Sequence, residues 1–150
     1  MMVMDKFNSE ILRVLSVEGR IANTELADRV GLSASACLRR VQELERQGVI
    51  KGYRAVLDHS QLGGGFVAYV SVGLGEHSTR SQHGFEKAIS TSPEVRECHN
   101  VTGNFEYLLR VETADIEAFK RFHADVLGAI EQVRTITTHV VMGSPKDERA

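Results

Sequence analysis

The chain has 150 residues, 42% of them hydrophobic and 25% charged, a balance typical of a folded globular protein rather than a disordered one. No apolar run approaches the roughly 18 residues that cross a bilayer, and the first seven residues lack a signal-peptide pattern, so we expect a cytoplasmic chain with no membrane partner. The net charge is −2, with nine basic and eight acidic residues in 1–62 but nine and twelve in 63–150, so charge alone does not indicate nucleic acid.

The first 50 residues have apolar positions at helical spacing, which predicts three helices. The first contains Phe7, Ile11 and Leu15 and ends near residues 18–20. A second is predicted from Thr24 to Val30 with Asn23 as its N-cap, and a third follows Ser33 and runs to Gln47. Residues 49–58 then alternate loosely, which predicts a short strand or hairpin that can serve as a wing.

Residues 58–65 are polar and glycine-rich, and are predicted to link a first domain, 1–57, to a second, 66–143, with a flexible tail at 144–150. The second domain alternates strands and helices. Strands are predicted at 66–74, 95–101, 105–113 and 133–142, and helices at 78–92 and from Asp115 to about residue 130. The order βαββαβ is that of a ferredoxin-like domain, so the predicted fold class is α+β, a winged helix-turn-helix followed by a ferredoxin-like domain.

The segment 25–41 has the spacing of a helix-turn-helix. Small Ala27 allows the helices to approach, Gly31 accepts the turn conformation, and Ser33 can cap the next helix. The inward side of that helix is predicted to be Cys37, Leu38, Val41 and Leu44, so its outward side can enter a major groove. The predicted DNA contacts are Ser33, Ser35, Ala36, Arg39 and Arg40 on the helix and Lys51 and Arg54 on the wing. The alternative is a three-helix packing unit with solvated arginines.

The first strand of the second domain has apolar residues on both faces. Val67, Tyr69 and Ser71 point one way, and Ala68, Val70, Val72 and Leu74 the other. A partly apolar face without helices should be buried against another subunit, so a homodimer is predicted. Such a dimer suits a palindromic operator in double-stranded DNA.

Three stretches, 31–53, 97–109 and 140–142, resemble the Lrp/AsnC (feast/famine) family of prokaryotic regulators, and the likeness extends from about Asp5 to Met142. The resemblance implies a nucleoid-associated, sequence-specific transcriptional regulator of amino-acid or nitrogen metabolism. It also implies dimers that assemble into tetramers or octamers, with an amino-acid effector bound between dimers. The effector residues that it implies are Asn100, Gly103, Asn104, Glu106, Ile116, His139, Val140 and Val141. Glu106 stands where the family commonly has aspartate, and its carboxylate can meet an ammonium group.

Catalytic and metal sites are not predicted. The six histidines lack metal-binding spacing and no nucleophile motif is present, so we expect neither an enzyme nor a cofactor beyond the amino-acid effector. Cys37 and Cys98 are expected to be small core residues. Two alternatives stay open: a decarboxylase of sirohaem-type tetrapyrroles, which resembles the same architecture, and an effector-free DNA-packing protein.

Overall fold

The structure is a computed structural model that describes residues 4–62 and 65–147. The chain divides into two compact units, one ending at Leu57 and one running from Asp58 to Asp147. Of the predicted linker, 58–65, residues 63 and 64 lie outside the described part, and His59–Leu62 form a 3₁₀ turn. Of the predicted tail, 144–147 form neither helix nor strand, and 148–150 lie outside the described part. None of the helices in the described ranges has the length and apolar character of a membrane span.

Within residues 4–57 the chain forms three helices: α1, Lys6–Leu15; α2, Asn23–Val30; and α3, Ala34–Arg46. Their apolar sides meet in one core, whose buried residues are Ile11, Val14, Leu26, Ala27, Val30, Cys37 and Leu44. The helices therefore lie where the apolar spacing predicted them, except that α1 ends at Leu15 rather than near residues 18–20. The predicted N-cap of α2 is wrong by one residue, because Ala22 holds the cap position and Asn23 begins the helix.

Residues 51–58 form neither helix nor strand, so the predicted strand or hairpin over 49–58 is not formed in this chain. A strand needs a neighbour to complete its ladder of backbone hydrogen bonds, and no described residue of 4–57 pairs with this segment. Tyr53 instead fastens the segment to α3, since its hydroxyl donates to the Glu45 carboxylate at 2.9 Å. Partial burial and this carboxylate raise the pKa of Tyr53 to about 12.

Residues 65–147 contain a four-stranded antiparallel sheet and two helices. In chain order these are β1, Phe66–Leu74; α4, Thr79–Ile89; β2, Val95–Asn100; β3, Tyr107–Thr113; α5, Ile116–Asp125; and β4, Val133–Val140. The strand order β2-β3-β1-β4, with every neighbouring pair antiparallel, is the ferredoxin-like arrangement. Helix α5 is shorter than predicted and passes into a 3₁₀ turn, Leu127–Ala129.

One face of the sheet packs on the helices. Its core joins Ala68, Val70, Val72, Leu74, Tyr107, Leu109 and Val111 of β1 and β3 to Phe85, Ile89, Phe119 and Phe122 of the helices. The alternation predicted for β1 is therefore confirmed. Ile116 was expected on the inner side of α5 but is 62% exposed, and Phe122 is buried there. Cys37 is buried as expected, whereas Cys98 is exposed because it lies on the edge strand β2.

The opposite face mixes apolar and charged side chains. Its central residues are Val67, Tyr69, Ser71, Leu108 and Arg110. The Arg110 side chain is only 11% exposed and pairs with Glu112, which also accepts a hydrogen bond from Arg96 at 3.0 Å. The Arg110 Nε is buried and has no acceptor among the described residues. This face therefore offers both apolar area and an unused donor.

Candidate nucleic-acid interface and effector region

The turn between α2 and α3 depends on Gly31. Its φ of 71° and ψ of 37° are left-handed, a conformation that glycine adopts without the steric cost of a β-carbon. The chain reverses there, and the Leu32 N–H donates to the Ala27 carbonyl at 2.9 Å, which closes the end of α2. The glycine expected to stop α2 is confirmed in that role.

Two side chains fix the start of α3. Ser33 is its N-cap, and its Oγ accepts from the Ala36 N–H at 3.2 Å. Asn23, the first residue of α2, donates from Nδ2 to the Ala34 carbonyl at 2.9 Å. Because this bond joins the first residues of the two helices, it holds the angle at which α3 leaves the turn.

The side of α3 that faces away from the core of its unit is here called the reading face, and it consists of Ser35, Leu38, Arg39 and Gln42. Leu38 and Arg39 follow Ser35 by three and four residues and precede Gln42 by four and three, so all four lie on one side of the helix. Leu38 was predicted to point inward but is 45% exposed, whereas Cys37 and Leu44 are fully buried. Ala36 was predicted to point outward and is half-buried. The exposed side of α3 is thus shifted by about one residue position from the side that was predicted to face outward.

Arg40 does not lie on the reading face. Its Nη1 donates to Asp5, the N-cap of α1, at 2.7 Å and to Asn8, in the first turn of α1, at 2.9 Å. The guanidinium carbon lies 5.2 Å from the centre of the Phe7 ring, a cation–π contact. The Asn8 N–H and the Arg40 guanidinium hold the pKa of the Asp5 carboxyl below its usual range. Arg40 therefore joins α3 to α1, which argues against its predicted role at DNA.

The other basic candidates differ in how they are held. Arg39, Lys51 and Arg54 are exposed, and Arg39 forms no ion pair within the described residues. Arg29, in contrast, pairs with Glu18 at 2.6 Å and with Glu25 at 2.5 Å. Hydrogen bonds to these carboxylates, with Glu18 first, raise the pKa of Arg29. Among the residues that the structure describes, Arg39 is thus the basic side chain of α3 that has no acidic partner.

Glu106 already has partners for its carboxylate. The side chain is 12% exposed, its Oε2 accepts from the Leu74 N–H at 2.7 Å, and its Oε1 lies 2.6 Å from His77 Nδ1. It therefore holds the end of β1 and the loop after it. The His77 side chain is 84% exposed, so its contact with Glu106 lies at the surface.

The effector candidates lie at two ends of the sheet. Asn100, Gly103, Asn104 and Glu106 are near the end of β1, and Ile116, His139, Val140 and Val141 are near its start. The register pairs Val72 with Tyr107 and Ala68 with Val140, which puts the groups about 13 Å apart along the strand. One chain therefore does not bring the two groups to one place.

Two family models match these two units. One, described as a winged helix-turn-helix DNA-binding domain, matches residues 4–51, and the other, described as an Lrp/AsnC ligand binding domain, matches residues 67–150. The second match alone covers more than half of the chain. The chain belongs to the Lrp/AsnC family. It is thus a transcriptional regulator with a helix-turn-helix and a ligand-binding domain, as the resemblance of its sequence predicted.

Individual Lrp/AsnC proteins match along nearly the whole chain. A leucine-responsive regulatory protein of Rhizobium meliloti is 42% identical over 144 residues, which are 96% of this chain and 92% of the relative. A transcriptional regulator of Neisseria meningitidis, solved in complex with L-methionine, has a TM-score of 0.90 at 34% identity and covers 95% of this chain and 92% of its own. A feast or famine regulatory protein of Mycobacterium tuberculosis, complexed with L-methionine, has a TM-score of 0.88 at 27% identity, with 99% and 98% covered.

Three residues of this Lrp/AsnC member lie beside the candidate sites but were not among the predicted site residues. Gln42 was detectable, because it lies seven residues after Ser35 and therefore on the same helical side. Leu38 was assigned to the core only because it is apolar. His77 carried no signal, since its pairing with Glu106 joins residues that are far apart in the chain.

Proposed function

We propose that the chain binds operator DNA sequence-specifically through the reading face of α3. The observation that carries this proposal is that the exposed side of α3 bears Ser35, Arg39 and Gln42 on the second helix of a rigid helix-turn-helix. Hydroxyl and guanidinium groups donate to phosphates, and arginine and glutamine can bond base edges in the major groove. Lys51, Arg54 and the Ser33 hydroxyl flank this face as further candidates for phosphate contacts.

We propose that the active form is a homodimer that assembles further into tetramers or octamers. The open face of the sheet supports this, since it combines apolar side chains with the buried, unused Arg110 Nε. The separation of the effector candidates supports it too, because only neighbouring subunits can bring both groups to one site. A two-fold assembly presents two copies of α3 to a palindromic operator.

The proposed effector is an amino acid, and no other cofactor is proposed. Two neighbouring structures contain L-methionine, and Glu106 offers a carboxylate for an ammonium group once His77 moves away. The regulated genes would then serve amino-acid or nitrogen metabolism. Because operator binding requires access to the chromosome, we propose a cytoplasmic, nucleoid-associated location.

We further propose that the chain acts by binding and not by catalysis. The relatives that match it are named as regulators, which favours this over the tetrapyrrole decarboxylase. No group of three or more His, Cys, Asp or Glu side chains that could hold a metal occurs in the described ranges. An effector-free packing protein differs from a regulator in its sequence selectivity and ligand response, which can be measured.

The test is a selection from random duplexes with the full chain, followed by titration of the enriched duplex. We expect one enriched, two-fold symmetric sequence whose affinity falls steeply with salt, and a change in affinity or oligomeric mass with L-methionine or another member of an amino-acid panel. Arg39→Ala should weaken specific binding about fivefold or more, the loss expected for one base-reading arginine. Arg13→Ala, which removes an exposed arginine of α1, is the matched control and should change little. Enrichment of no sequence, or equal losses for both variants, would contradict the proposal.

A further inference from the structure

Leu38 is an apolar side chain on a polar surface. It is 45% exposed, whereas Cys37 and Leu44 on the same helix are completely buried. Ser35 precedes it by three residues, Arg39 is adjacent, and Gln42 follows four residues later. Leu38 is the one large apolar side chain on the exposed side of α3, and the domain core does not explain its position.

The major groove contains a partner for such a side chain. Thymine presents its 5-methyl group there, whereas the other bases present hydrogen-bond donors and acceptors at their major-groove edges. A leucine over a thymine buries two apolar groups together. The same leucine over a polar edge would remove water from a group and give it no hydrogen bond. Leu38 is the fifth residue of the 13-residue α3, in the half of a recognition helix that commonly reaches base edges.

A protein partner fits this position less well. Protein interfaces bury about 800 Å² on each side around an apolar centre. Leu38 instead stands alone among a hydroxyl, a guanidinium and a carboxamide, groups that suit phosphates and base edges. The surroundings therefore match a nucleic-acid groove rather than an apolar protein surface.

We propose that Leu38 contacts the 5-methyl group of one thymine in each operator half-site and so selects T·A at that position. This inference rests on the proposed function, because it assumes that the reading face enters the major groove. It adds the base that one side chain recognises and the chemical group by which it does so.

The test replaces each thymine of the selected duplex in turn with deoxyuridine, which removes only the methyl group. For the unsubstituted full chain we expect one position in each half-site where the replacement weakens binding about fourfold, the effect of burying one methyl-sized group. Leu38→Ala should bind more weakly and lose the response at that position while keeping the same salt dependence, since Leu38 neutralises no phosphate. Val17→Ala, at an apolar residue of the same domain that is 80% exposed, is the matched control and should keep the full response.

The outcomes separate this inference from the proposed function. If no sequence is enriched in the selection, both fall. If a sequence is enriched but Leu38→Ala and the unsubstituted chain respond alike to every deoxyuridine, the Leu38 contact is overturned and the proposed function stands. A change in oligomeric mass for Leu38→Ala without any coupling to a thymine would place Leu38 at a protein interface and overturn it too.

Discussion

Replacing Arg40 with alanine should loosen the N-terminal unit without removing a DNA contact. Arg40 lies next to Arg39 in the sequence, and residue type alone predicts a DNA contact for both. In the structure Arg40 bonds Asp5 and Asn8 and stacks on Phe7, which fastens α3 to the first turn of α1. The two substitutions should therefore affect different properties of the same protein.

The expected cost of Arg40→Ala follows from two contacts. The cation–π contact with Phe7 contributes about 0.5–1 kcal/mol. The hydrogen bond to Asn8, a residue 6% exposed, contributes about 1 kcal/mol. The ion pair with Asp5 is partly exposed on both sides and adds little. The total of about 1.5–2 kcal/mol corresponds to an increase of roughly 10- to 30-fold in the equilibrium for opening the unit.

Hydrogen exchange measured by mass spectrometry on the full chain reports this opening. Peptides that cover α1 and α3 should exchange roughly 10- to 30-fold faster in Arg40→Ala, and peptides of the second unit should be unchanged. Arg39→Ala is the matched control, because it removes the same charge from the next residue. It should exchange like the unsubstituted chain and yet bind the operator about fivefold or more weakly, whereas Arg40→Ala should keep most of that binding where the unit is folded. Normal exchange with lost binding in Arg40→Ala would refute this reasoning and return Arg40 to the DNA interface.

Three further predictions concern other parts of the chain. Glu106→Gln keeps an acceptor for the Leu74 N–H but loses the negative charge. In a thermal-shift panel, the stabilisation by amino acids should therefore disappear, with little change in the melting temperature of the unliganded chain. An unchanged response would exclude the ammonium contact. The pKa of the Tyr53 phenol is about 12 in the folded chain, against an ordinary pKa of 10.0. The free energy of unfolding should therefore fall as the pH rises past about 10, because the unfolded chain loses this proton first. Tyr53→Phe should remove part of that fall, and also one phenol titration followed by absorbance at about 295 nm. Gly31→Ala should lower the free energy of unfolding in urea by about 1–2 kcal/mol, because the left-handed backbone disfavours a β-carbon. Steric clash does not add to this cost, since no atom beyond the neighbouring residues lies within 4 Å of the β-carbon position. Gly48→Ala, at the same φ, should have about the same effect.

Local patterns predicted most of the fold. Strand β1 begins and ends at the predicted residues, because alternating apolar positions and the flanking glycines act within a few residues. The end of helix α2 is also set locally, because Gly31, the residue that follows it, adopts the left-handed conformation. The predicted strand over 49–58 was wrong because a strand needs a neighbouring strand for its hydrogen bonds. A loose alternation of apolar residues does not show whether the same chain supplies that neighbour. Nor do local patterns show the bond that places Asn23 against α3.

The site was harder to predict than the fold because side-chain polarity is an imperfect guide to position. Leu38 was assigned inward as a leucine but is 45% exposed, and Arg40 was assigned outward as an arginine but is 32% exposed and pairs with Asp5. Successive helix residues are about 100° apart, so an error of one residue moves a side chain to another face. The partners of Arg40 lie 32 and 35 residues away, and no spacing rule within a helix reaches that far.

The geometry of the second unit has a consequence for how an effector can act. Its effector candidates lie at opposite ends of one sheet, so a site that needs both groups exists only when subunits meet. A ligand for such a site stabilises the assembly that completes it, and by linkage the assembly raises the affinity for the ligand. In the proposed assembly the contacts between subunits also set the spacing of the α3 pairs, which must match half-sites one helical turn, about 34 Å, or a multiple of it apart. An amino acid can therefore change operator affinity without touching α3, and its effect should depend on protein concentration in the range where subunits associate.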